Sequence, residues 1–207
     1  MRVLVVMTGF LATLAALPLA AQDVRISETQ AQSTFSVGAR DFTISRNQDV
    51  DAALTGEFAK TSRPCPDFCI QPMITATGVR PIGELELLDF LETDVAGTTG
   101  LLIDARLPDW FAKGSIPAAV NVPFAALDPQ NPYQNDILRA LGAELRGDIL
   151  DFENAQLLVI YDNGVWDAQA TRAITNLIAA GYPAAKIQNY RGGLEDWVHL
   201  GLTTTLP

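Results

Sequence analysis

A chain of 207 residues is long enough for one domain of ordinary size with an extension, and short for two full domains. With 48% hydrophobic and 18% charged residues it has the balance of a globular protein, and it carries no low-complexity tract or internal repeat. The 24 acidic against 14 basic residues give a formal charge of −10, which opposes binding to a nucleic-acid backbone or an anionic membrane surface.

Residues 1–21 read as an export signal. Arg2 precedes an apolar run from Val3 to Leu17, and Pro18-Leu19-Ala20-Ala21 then brings small residues to a cleavage point. The run is shorter than the ~20 residues that span a bilayer, and no second run follows it. The expectation is a periplasmic or secreted protein, not held at a membrane once the signal is removed; an uncleaved anchor is the alternative.

Residues 22–78 read as an irregular N-terminal extension. Two alternating runs, Thr34–Val37 and Asp41–Ser45, flank Gly38-Ala39-Arg40 and predict a loose hairpin. Pro64, Pro66 and Pro72 exclude a regular helix or ladder from Arg63 to Pro72. Between them lie the only two cysteines of the chain, Cys65 and Cys69.

From residue 79 to 207 the pattern becomes that of an α/β domain. Ile82–Leu91 carries a helical stripe, and Leu101–Ala105 is an apolar run suited to a buried parallel strand. Asp109–Lys113 reads as a short helix, Ala119–Val122 as a brief strand, and Gln134–Leu145 as an amphipathic helix. Gln156–Tyr161 is the second buried strand. A turn leads to a helix over Ala168–Ala180, stopped by Gly181. Lys186–Tyr190 is the last strand, followed by a short helix through Trp197. Strands alternating with helices at these spacings predict a central parallel sheet with helices on both faces.

Several pieces of this segment resemble rhodanese-like domains. They are Leu102-Ile103-Asp104-Ala105-Arg106, then Trp110-Phe111, Gly114-Ser115-Ile116-Pro117-Ala118-Ala119 and Asn121-Val122-Pro123, and finally Tyr190-Arg191-Gly192-Gly193 with Trp197. Ser115 stands where that family usually has His, and Ala118 where it usually has Gly. The likeness extends over about residues 79–204 and implies the rhodanese-like three-layer fold. Read as residues alone, Asp104 and Arg106 make a buried charge pair, Pro117 and Gly192-Gly193 fix backbone turns, and Trp197 belongs to the core.

The same resemblance places an active loop at Asp162-Asn163-Gly164-Val165-Trp166-Asp167. In rhodanese-like enzymes its first residue is a cysteine that holds sulfur as a persulfide, stabilised by loop amides converging at a helix N-terminus. Here the matching residue is Asp162. A carboxylate satisfies such a cradle internally but cannot carry sulfane sulfur, so the expectation is a loop without sulfurtransferase activity. Asp167 is positioned to cap the following helix, and Trp166 either packs on the loop or serves as a contact platform.

Two cysteines in an exported chain default to a disulfide. A bridge across so short a loop contributes only about 2 kcal/mol, so a labile redox pair and a soft-metal site remain as alternatives. The leading expectation for function is an exported, non-catalytic module that binds a protein partner or a small anion and takes no cofactor or metal. The alternative is a periplasmic thiol-redox or sulfur-relay protein using Cys65 and Cys69. A third reading is an acid-based hydrolase, or a hard-cation site formed by Asp104, Asp162 and Asp167.

Overall fold

The computed structural model describes residues 24–61 and 70–207. The expected signal segment, Cys65 and Cys69 lie outside the described residues. No helix among the described residues is long and apolar enough to cross a membrane.

The first element among the described residues is an antiparallel hairpin, β1 (Gln32–Val37) and β2 (Arg40–Ser45), turned at Gly38. Then come β3 (Arg80–Ile82), α1 (Glu84–Phe90) with a π-helical turn over Leu91–Val95, and β4 (Gly100–Asp104). α2 (Pro108–Phe111), β5 (Val120–Asn121) and α3 (Gln134–Ala140) follow. A second hairpin, β6 (Glu144–Arg146) with β7 (Ile149–Asp151), precedes β8 (Leu157–Tyr161) and α4 (Gln169–Ala179). The chain closes with β9 (Ile187–Tyr190) and α5 (Gly193–His199).

The central sheet has the order β3-β9-β8-β4-β5 and every pairing in it is parallel. Two of its three inner strands, β4 and β8, are the apolar runs, as suits strands covered on both faces, while the third, β9, carries Gln188 and the buried Asn189. Alternation sorts the two faces. Ile103, Leu158 and Ile160 pack with Leu138 of α3 and Ala173, Ile174 and Leu177 of α4. Leu102, Val159 and Tyr161 pack with Leu87 and Leu88 of α1, Leu91 beyond it, and Trp197 of α5. Helices therefore cover both faces, the three-layer α/β arrangement expected. Asp104 and Tyr161 are register partners at the carboxyl ends of β4 and β8, so residues 105–106 and 162–163 leave the sheet side by side.

The first hairpin belongs to this core. Phe35 and Ile44 are buried in the α1/α5 layer. The C-terminal tail then ties the extension down: Arg46 bridges Leu202, the Thr203 amide donates to Ser45 O, and Ser115 pairs with Thr205.

Three elements differ from expectation. The helix predicted over Gln134–Leu145 stops at Ala140, because Gly142 takes a left-handed φ of +94° and a side chain there would press on Ala155 and Gln156. Leu145 then enters β6, a hairpin the periodicity does not announce. β3 is also an addition, three residues long and at the sheet edge.

Candidate functional site

β8 delivers the chain to the carboxyl edge of the sheet, where residues 162–168 turn into α4. Asp162 is buried, and its side chain fastens both ends of this turn. Oδ1 accepts the Gly164 amide at 3.2 Å, and Oδ2 accepts the amide of Ala170, the second residue of α4, at 2.8 Å. Asp162 thus binds the helix N-terminus, where unpaired amides favour an anion. The residue in the N-cap position is Ala168; Asp167 instead accepts the Gln169 amide through Oδ1 at 3.1 Å.

The loop is held from the other side by α5. Asp162 O accepts the Leu194 amide at 3.0 Å and Asn163 O the Glu195 amide at 2.9 Å. Gly193 permits this approach: its φ is +63°, and a Cβ there would lie 2.6 Å from both Asp162 O and Gly164 N.

Behind the loop lies a buried polar network. Arg106 grips both oxygens of Asp104, with Nε at 2.9 and 3.1 Å and Nη2 at 2.6 Å, and Nη2 also donates to Gly114 O at 2.7 Å. Its Nη1 reaches Asn163 Oδ1 at 3.4 Å, and Asn163 Nδ2 donates to Asp167 Oδ2 at 2.7 Å. Gln169 closes the circuit, donating to Asp167 Oδ2 and accepting the Leu107 amide at 3.0 Å. Tyr161 donates its hydroxyl to Asp104 Oδ2 at 2.8 Å, with Ser115 Oγ 3.0 Å away.

Burial sets the electrostatics. It raises the Asp162 carboxyl well above the usual carboxylate range, with the charge of Asp167 adding to the effect and the Ala170 and Gly164 amides opposing it. Burial also raises Tyr161, reinforced by Asp104, so this hydroxyl keeps its proton and remains a donor. For Arg106 burial works against the charge, but the hydrogen bond and charge of Asp104 outweigh it and leave the guanidinium above its usual value.

The rim of the loop is built from two other segments. Trp166, half-buried, donates Nε1 to Glu195 Oε2 at 2.7 Å. Gln71, from the extension, donates its amide to Val165 O at 2.7 Å and receives Arg191 Nε and Nη2 on its carbonyl at 2.9 and 2.6 Å.

The structure therefore gathers Asp104, Arg106, Gly114, Asn163, Asp167, Gly192 and Gly193 around Asp162. Pro117 is buried in the turn beyond Ser115, and Trp197 is core, donating Nε1 to Thr203 O at 2.8 Å. His199, the single histidine, is exposed. Tyr161, Gln169, Glu195 and Gln71 complete the site without having been singled out from the sequence; only Tyr161, adjoining the loop, carried a local signal. For a hard cation, Asp104 is already committed to Arg106 and Tyr161, and among the described residues no group of three or more His, Cys, Asp or Glu is arranged to hold a metal ion.

The chain is similar to a rhodanese-related protein from Thermoplasma volcanium, with 19% identity, a TM-score of 0.41, and coverage of 62% of this chain and 99% of that one. It is also similar to a human single-domain sulfurtransferase, with 24% identity, a TM-score of 0.42, and coverage of 58% and 96%. A Bacillus halodurans protein matches at 16% identity and a TM-score of 0.44, over 58% of this chain and 72% of that one. No curated protein matches. The family model for the rhodanese-like domain matches residues 86–200, more than half of the chain, and the chain belongs to the rhodanese-like domain family.

Proposed function

We propose that this protein is an exported rhodanese-like module whose loop, Asp162–Asp167, carries no sulfur, and that it acts by binding a protein partner or a small anion. The observation that supports this reading is the Asp162 carboxylate itself, bonded to the amides of Gly164 and Ala170. The residue at the position corresponding to the family's sulfur-carrying cysteine is an oxygen acid, which forms no stable persulfide. Its oxygens also take amides that would otherwise stabilise a bound thiolate.

The test is transfer of sulfur from thiosulfate to cyanide by the mature protein, with and without Cys65→Ser and Cys69→Ser. Rates at the buffer background in both proteins support the proposal. Turnover that survives removal of both cysteines contradicts it.

A second reading, a thiol-redox or sulfur-relay role for Cys65 and Cys69, draws support from Gln71. This residue follows Cys69 by two positions and is bonded to Val165 of the loop. Under this reading the pair has a reduction potential well above that of a structural bridge, measurable by equilibration against glutathione. A potential below about −300 mV marks a structural bridge and removes it.

A further inference from the structure

We infer that β6 is a self-pairing edge, and that two copies of this chain associate by laying β6 of one antiparallel to β6 of the other. The inference stands independently of the reading of the Asp162 loop.

The register of the β6–β7 hairpin leaves one residue of β6 unpaired. Arg146 faces Ile149 across the two-residue turn Gly147-Asp148, in which Gly147 takes a φ of +65°. A turn this short closes on a pair that exchanges both main-chain bonds. Arg146 with Ile149 is therefore hydrogen-bonded, and by alternation so is Glu144 with Asp151. Leu145 and Leu150 form the non-bonded pair between them, so their N–H and C=O groups point away from the hairpin. β6 and β7 make a two-stranded sheet of their own, and among the described residues neither main-chain group of Leu145 has a hydrogen-bond partner. All three residues of β6 are exposed, with Leu145 at 58%.

An open edge of this kind is a template for another strand, and natural sheets guard such edges with proline or lysine. The edge strand β3 carries Pro81. β6, Glu144-Leu145-Arg146, has neither guard, and its two charges are of opposite sign.

That sequence fits its own copy. Antiparallel pairing about Leu145 sets leucine opposite leucine at the centre, and Glu144 of each copy opposite Arg146 of the other. The two leucines then exchange two main-chain bonds, through the groups that the hairpin leaves pointing outward. Residues directly opposite share a face, so Leu150, Leu145 and their counterparts form one apolar row, and the two Glu–Arg pairs lie on the other face. Arg146 has room for this contact. Its Nε donates to Asp151 at 2.8 Å, but Nη2 lies 3.8 Å from the carboxylates of Glu144 and Glu153, beyond hydrogen-bond length. The outer edge of β7 fails the same comparison, because self-pairing about Leu150 would set Ile149 against Asp151. Three residues a side make a small contact, so the association is weak and reversible. The formal charge of −10 opposes approach at a distance, a repulsion that physiological salt screens beyond about 8 Å.

The test is sedimentation velocity of the mature chain in physiological salt, from about 10 μM to about 1 mM, the range of a weak contact. The average mass should rise with concentration from that of a monomer toward twice that value. Arg146→Glu and Glu144→Arg, each alone, should weaken association by about tenfold, since like charges then stand opposite. An equimolar mixture of the two variants should restore it, because opposite charges then meet only between unlike copies. Leu145→Pro removes the outward N–H without touching a bond of the hairpin, and should abolish association in a chain shown by circular dichroism to be folded; if it does not fold, the mixture decides. A wild-type chain that stays monomeric throughout overturns the inference, including one that instead takes up an unrelated extended peptide at this edge. Association that the charge reversals leave unchanged, or that mixing fails to restore, overturns it as well, because such association runs through another surface.

Discussion

Removing the Asp162 carboxylate would leave the Gly164 and Ala170 amides without their acceptor in a site closed to water, so Asp162→Ala should cost about 2 kcal/mol of stability. The pH dependence has a defined sign. The folded carboxyl is raised above its ordinary value of 3.8, so the folded chain holds a proton that the unfolded chain has already released. Unfolding then releases a proton, and stability falls as pH rises from about 3.8 up through the raised value. Below that window both states are protonated; above it both are ionised and the contribution is fully lost. Urea midpoints measured against pH should slope downward there in the wild type and flatten in Asp162→Asn. A second residue-scale expectation concerns Ala118, a non-glycine residue at φ +65°. Ala118→Gly relieves the left-handed strain and should raise stability by about 1 kcal/mol, read as a higher denaturant midpoint. The Asp104–Arg106 pair was legible in the sequence because the two residues are near neighbours. Tyr161 with Asp104, and Arg191 with Gln71, join residues 57 and 120 positions apart, and no local pattern reports such contacts.

At the scale of elements, what the sequence announces is what the sheet buries. β4 and β8 are continuous apolar runs because both of their faces are covered, and α4 shows its stripe because one face meets them. β3 contains Pro81 and lies at an edge, so it needs neither a run nor a period. The strands of the β6–β7 hairpin are three residues each and display Leu145 and Ile149 to solvent, too short for alternation to mark them. The first hairpin was visible as alternation, but its role was not. Ile44 is fully buried against the α1/α5 layer, joining the extension to the domain core. Ile44→Ala should therefore cost about 3 kcal/mol, the range of a buried large-to-small change. A single cooperative transition at a lower midpoint is the expected result; an unchanged midpoint would mean that the hairpin is an appendage.

For the molecule as a whole, the rhodanese-like architecture brings a strand end, a helix N-terminus and the main chain of α5 to one point, and Asp162 occupies that point. Under the proposed function, the chemistry at that point turns on one atom type, oxygen in place of sulfur. The most direct measurement is the mass of the tryptic loop fragment after incubation with thiosulfate, in a Cys65→Ser/Cys69→Ser background, comparing Asp162 with Asp162→Cys. A gain of one sulfur on the cysteine variant alone is the result expected. A sulfur adduct on the loop that retains Asp162 would contradict the proposal.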